Sequence, residues 1–186
     1  MAVMPQRYRF SVDDYDRLAE IGVPACERVE LLDGDFVEMT PIGDHHASTV
    51  ARLTALFARR LGDRAIVWPQ NPVQLRSVRS VPQPDIVLLR PRDDFYRRPR
   101  PTPEDVLLLI EVMDSSVATD RGVKLPLYAR AGIVETWLVN LVSDQIEIFR
   151  QPSDTGYGES RVAVRGDIVA PAALPDLRLT VDEILG

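Results

Sequence analysis

The sequence predicts an α/β fold in which a central sheet is flanked by helices, with a helix and a β-hairpin at its N-terminal end. Three observations carry this. Residues 84–89 and Val106–Met113 are nearly continuous apolar runs, as expected of strands covered on both faces. Asp44–Leu61 places Val50, Leu53 and Phe57 at helical spacing ahead of Gly62. Asp33-Gly34, set between two alternating stretches, is a strong hairpin signal.

In chain order, Ser11 reads as the N-cap of a short helix, with Asp13 and Asp14 in its first turn and Phe10 and Tyr15 placed for a hydrophobic staple. That helix ends near Gly22-Val23-Pro24. Residues 28–32 and 35–39 form the hairpin, and a two-residue loop pairs Glu30 with Val37, beside Leu32 and Met39. After the long helix, whose apolar stripe includes His46, strands are expected over 65–68 and 73–76 and then over the two apolar runs. Residues 90–105 hold four prolines and five arginines together with Phe95 and Tyr96, and read as a long exposed flap. A helix follows Asp114-Ser115-Ser116 and runs to Ala131, stopped by Gly132. Residues 134–140 and 145–150 make a second hairpin, 153–160 a flexible tip, and Thr180-Val181-Asp182-Glu183 caps a terminal helix.

The chain has 186 residues, 45% hydrophobic and 27% charged, which fits a single globular domain over 1–186. It has no apolar run of bilayer-spanning length and no apolar core of signal-peptide length at its start, so a cytoplasmic location is expected. One cysteine, Cys26, excludes an internal disulfide and a cysteine-based zinc cluster. A net charge of −6 has the wrong sign for a general nucleic-acid coat, so contact with a polyanion requires a local patch or a bound cation. Of 22 basic residues only Lys124 is a lysine. Codon bias explains the arginines. It leaves open whether this position needs a compact ammonium, which a planar guanidinium does not replace.

Asp85 opens one apolar strand and Glu111 lies near the end of the other. If those strands are adjacent and antiparallel, the two carboxylates converge, and such a pair needs protons, an arginine or a cation. Mg²⁺, a hard cation that binds through one or two carboxylates plus substrate phosphate, suits them. The plainer alternative sets Asp85 at an exposed strand entry and pairs Glu111 with an arginine.

Pro84-Asp85, Glu111-Val112-Met113 and a helical Lys124, in this order, resemble the PD-(D/E)XK nuclease superfamily. More narrowly the chain resembles the Uma-type (DUF820-like) family of restriction endonucleases. Glu30-Leu31-Leu32-Asp33-Gly34-Asp35, the helix start from His46 to Leu53, Asp120 to Lys124, Leu127-Tyr128-Ala129-Arg130-Ala131-Gly132 and Leu174-Pro175-Asp176-Leu177 support it. The resemblance runs from about Tyr8 to the C-terminus. It implies a restriction-endonuclease-like core, a mixed central β-sheet flanked by helices, that hydrolyses DNA phosphodiesters with Mg²⁺ or Mn²⁺. Asp85 and Glu111 would be metal ligands together with the Val112 carbonyl, and Lys124 would position or activate water. Glu30 and His46 match recurrent polar positions, and a homodimer is implied because a duplex has two strands to cut. Three departures stand out: Met113 occupies the superfamily's usual lysine position, Gly132 to Trp137 lacks the family's proline and aromatic, and Pro126 falls inside the helix, where it is tolerable if the regular helix starts near Val123 and otherwise implies a kink that could displace Lys124.

The residues leave other readings open. Glu30 suits either a nearby cation such as Lys124 or a buried arginine pair. His46 suits either a core position or a proton relay beside the carboxylates. Arg97, Arg98 and Arg100 suit phosphate contacts, or a merely solvated loop neutralised by its own acids. A catalytically silent binding or scaffold protein and a phosphodiesterase acting on small substrates remain as rival functions.

Overall fold

The computed structural model describes residues 7–23, 29–39 and 41–186. Cys26, Pro24 and Arg28, which figure in the sequence reading, lie outside them.

Helix α1 (Val12–Glu20) starts on the expected capping box, in which Ser11 and Asp14 satisfy each other's backbone N–H groups. Phe10 and Tyr15 both meet Phe36, so the helix is fixed on the hairpin β1 (Val29–Leu32) and β2 (Asp35–Glu38). Glu30 pairs with Val37 as the two-residue loop requires, with Asp33 and Gly34 both at positive φ. Gly34 also packs against Arg9 and Phe10, where an added Cβ would stand 2.9 Å from the Arg9 Cβ. Gly34→Ala combines that clash with a strained φ of 80° and is expected to cost about 1–3 kcal/mol, read as a lower urea midpoint at unchanged slope.

Helix α2 (Asp44–Leu61) and strands β3 (Ile66–Pro69), β4 (Ile86–Leu89) and β5 (Val106–Met113) follow closely where the patterns place them. The crossover from β5 holds a short helix α3 (Val117–Thr119), a π-helical turn (Asp120–Lys124) and helix α4 (Leu125–Ala131), which Gly132 ends at φ 85°. It leads to β6 (Glu135–Asn140), then β7 (Gln145–Ser153), β8 (Gly156–Val164), β9 (Ile168–Val169), β10 (Leu179–Thr180) and helix α5 (Val181–Leu185), capped by Thr180 and Glu183.

Strands β3 to β8 form one mixed six-stranded sheet in sequence order. Only β5 and β6 are parallel, and parallel neighbours need a crossover such as the one that carries α4. Alternation divides the buried side chains between two faces. Ile86, Leu88, Leu108, Ile110 and Trp137 pack with α2, α5 and the tail. Val87, Leu89 and Leu109 pack with Leu127, Tyr128 and Ile133 of the α4 side and with Leu32 of the hairpin.

Three expectations are corrected. Residues 73–76 are not a strand: Leu75 makes one isolated bridge to Ser80 and Arg76–Val78 is a single 3₁₀ turn. Residues 153–160 are not a loose tip, because β7 and β8 continue through them to the pair Ser153–Gly156. The segment 90–105 is no free flap, since Tyr96 is buried against Trp68, donates its hydroxyl to the Arg90 carbonyl and lies under the Arg92 guanidinium.

Candidate active site

The register of β4 and β5 settles where the acids go. Ile86 faces Ile110, so one step further Asp85 meets Glu111 at the end of the ladder. By alternation Glu111 stands on the same face as Leu109, under the α4 crossover. The Asp85 N–H donates to Glu111 Oε2 at 3.3 Å, and Asp85 Oδ2 accepts from the Val112 N–H at 2.8 Å. Both residues are buried.

Lys124 reaches this point from the crossover. In the π turn the Leu125 N–H bonds to the Asp120 carbonyl, five residues back, and α4 begins immediately afterwards with Pro126 in its first turn. Proline is accepted there because a first-turn N–H needs no helical partner. Pro126 therefore does not displace Lys124, and wide turns of this kind are frequent at functional sites. The Lys124 Nζ lies 3.0 Å from Glu30 Oε1, 3.3 Å from Glu111 Oε1 and 3.8 Å from Asp120 Oδ1. Glu30 is held by the Gln83 N–H at 2.7 Å, and the hairpin bearing it docks through the Leu31–Val81 bridge. Its partner is thus the lysine rather than an arginine.

His46, near the start of α2, brings Nε2 to 3.0 Å from Asp85 Oδ2. Its Nδ1 is the one buried side-chain nitrogen or oxygen without a partner among the described residues. The neighbouring His45 is exposed. The resemblance implied one site made of Asp85, Glu111, the Val112 carbonyl, Lys124, Glu30 and His46; the structure brings the five side chains together and sets the Val112 N–H, the group it shows in contact, on Asp85. The sequence reading omitted Tyr128, whose hydroxyl donates to Glu111 Oε1, and Ser116, whose hydroxyl donates to Asp120. Tyr128 lies four residues beyond Lys124, a spacing that shares one helix face and would have pointed to it.

Charge in this cluster is unbalanced. Glu30, Asp85, Glu111 and Asp120 face the single ammonium of Lys124. Complete burial pushes the Glu111 carboxyl well above the usual carboxylate range, against the pull of Lys124 and with help from Asp85. Burial likewise raises Asp120. Burial by itself would depress Lys124, but Glu111, Glu30 and Asp120 together more than reverse it, so the amine stays protonated. The bond to Asp85 raises His46 against its own burial. Carboxyl groups outnumber the ammonium, and the burial that raises Glu111 and Asp120 would be relieved if these hard oxygen donors took up a divalent cation of the Mg²⁺ type. Among the described residues no three His, Cys, Asp or Glu side chains form a ready-made cage. The two adjacent carboxylates that could meet a cation are those of Asp85 and Glu111.

These groups line a cleft of about 530 Å³, together with Val37, Met39, Ile42, Gln70 and Gln83. Arg97, Arg98 and Arg100 are not on its wall. They line a separate cavity of about 580 Å³ with Asp16, Glu20 and Arg76, where Arg100 is paired to Asp16 and Arg76 to Asp13. Arg60 and Arg64 bind Glu183 and Asp176 of the tail, a structural use.

A mixed sheet that ends in paired acids beneath a helical lysine defines the class of restriction-endonuclease-like nuclease folds. The Uma2 family, described as "Putative restriction endonuclease", matches residues 12–182, and the chain belongs to it. Among solved structures the chain is similar to one from Anabaena variabilis titled "a putative nuclease belonging to DUF820". That likeness has 14% identity and a TM-score of 0.68, covers 92% of this chain and 96% of the other, and bears on the fold. A comparison with curated proteins gives no match.

Proposed function

We propose that this protein is a metal-dependent endonuclease that hydrolyses phosphodiester bonds of DNA, working as a homodimer. The observation that carries the reading is the buried Asp85–Glu111 pair beside Lys124, in a cleft where carboxylates outnumber cations. In this reading Asp85 and Glu111 hold Mg²⁺ or Mn²⁺, with the Val112 carbonyl beside them. A cation held there would supply positive charge to the scissile phosphate and lower the pKa of a bound water. Lys124, kept protonated by its three acids, faces the charge that builds on the phosphoryl oxygens. Glu30 and Asp120 hold the ammonium in place. His46, whose second nitrogen is buried, is a positioning residue that fixes the Asp85 carboxylate.

Among the described residues no arginine lines the cleft, which favours, as a second reading, a phosphodiesterase acting on small substrates. Incubating supercoiled plasmid and a small aryl phosphodiester with Mg²⁺ or Mn²⁺, each with an Asp85→Ala control, separates the two. Metal-dependent nicking lost in the variant is the expected result. Turnover of the small ester alone would support the second reading, and no turnover of either would contradict both.

Arg97 and Arg98 are exposed and make neither an ion pair nor a side-chain hydrogen bond among the described residues, whereas Arg90, Arg92 and Arg100 are held by Glu104, Asp94 and Asp16, so Arg97 and Arg98 are the loop arginines free to meet phosphates. Replacing both with alanine is expected to reduce the slope of log affinity against log salt by about 1.8, roughly 0.9 per duplex phosphate contact. An unchanged slope would leave the loop as solvated surface.

A further inference from the structure

The two edges of the central sheet differ in character. At one edge, β3 has four residues and ends on Pro69, which has no N–H to offer a further strand. At the other, β8 has nine residues and is hydrogen-bonded to β7 alone within the sheet. Gly158, Glu159, Ser160, Arg161, Val162 and Val164 are all exposed. Nothing in the described chain covers this edge, and a long open edge is a template for another strand.

Charge in the middle of an edge strand normally discourages pairing, but here it is self-complementary. Glu159 and Arg161 are two residues apart and stand on one face. Arg161 makes no ion pair among the described residues, and Glu159 meets only the Gln151 amide, at 3.3 Å. When two copies of one strand pair antiparallel about a two-fold axis, facing residues must share a face, so the axis passes through a residue position. Centred on Glu159 the pairing sets that glutamate against itself, and centred on Arg161 it sets arginine against arginine. Centred on Ser160, each Glu159 faces the other copy's Arg161. The same register sets Val162 opposite Gly158 and Val164 opposite Gly156, so valines that are 54% and 51% exposed meet positions without side chains.

We propose that β8 is a dimerisation edge. Two copies of this chain pair antiparallel about Ser160, joining their sheets into one and forming two Glu159–Arg161 pairs. Such an interface is isologous and closes at two subunits. It names the contact of the homodimer proposed above, yet rests on no property of the cleft and would stand if the protein hydrolysed nothing.

Sedimentation equilibrium on the full chain tests it. The wild type is expected to dimerise. Arg161→Glu gathers four acids at the axis and is expected to raise the dissociation constant about tenfold or more. Adding Glu159→Arg restores opposite charges in reversed order, and the double variant is expected to return to within about threefold of wild type. A monomeric wild type, an Arg161→Glu dimer as tight as wild type, or a double variant no tighter than the single one would overturn the proposal. Amide exchange on the wild type gives a reading that needs no substitution. Amides of 156–164 are expected to slow as concentration rises through the dimer range, and exchange independent of concentration would also overturn it.

Discussion

Lys124→Ala is expected to lower cleavage by about 10²-fold or more while leaving divalent-metal binding intact. The lysine is no ligand, and its removal takes a positive charge away from the place where a cation would sit. The fold should suffer in the metal-free protein. Glu30, Glu111 and Asp120 lose the ammonium that lies 3.0 to 3.8 Å from them, and removing one partner of a buried ion pair costs about 3–5 kcal/mol. Added Mg²⁺ should therefore raise the melting temperature of this variant more than that of wild type. Lys124→Arg separates charge from shape. A guanidinium keeps the charge but is planar and bulkier than the compact ammonium, so cleavage should remain low. Wild-type cleavage by a folded Lys124→Arg protein would reduce the single lysine to a relic of codon usage.

Asp85→Asn is expected to fold nearly as well as wild type and to lose cleavage by about 10³-fold. The amide oxygen of asparagine can still accept from the Val112 N–H, so the link between the end of β5 and the start of β4 survives. What disappears is a negative oxygen for the cation and the charged partner of His46. Asp85→Ala removes that link as well. It leaves the buried Val112 N–H unsatisfied, for a stability loss of about 1–3 kcal/mol that the asparagine variant should not show. Comparing the two by urea denaturation and plasmid nicking separates the carboxylate's charge from its structural bond.

Legibility from sequence followed the strength of local signals. The Asp33-Gly34 turn, the Ser11 and Thr180 capping boxes and the 18-residue stripe of α2 were readable because each is set by neighbours in the chain. Both apolar runs became central strands, and their antiparallel pairing brought Asp85 to Glu111 as anticipated. Strand β8 was missed because its exposed, glycine- and charge-bearing sequence lacks the alternation that a half-buried strand shows. The apolar residues near 73–76 pack into the core without joining a sheet, a choice made by tertiary contacts. Pro126 looked like a threat to Lys124 only on the assumption of a regular α-helix. The π turn that resolves it depends on a hydrogen bond five residues back, which no local pattern signals. Tyr128 was readable in principle by its spacing from Lys124, but spacing alone does not separate a core aromatic from one whose hydroxyl reaches Glu111.

The central claim is that Asp85 and Glu111 form a divalent-metal site. Calorimetric titration of Mg²⁺ and Mn²⁺ into the wild type, Asp85→Asn, Glu111→Ala and Lys124→Ala tests it most directly. One site per chain is expected in the wild type, lost in the Asp85 and Glu111 variants and retained in Lys124→Ala. Unchanged affinity in folded Asp85→Asn and Glu111→Ala proteins would contradict it.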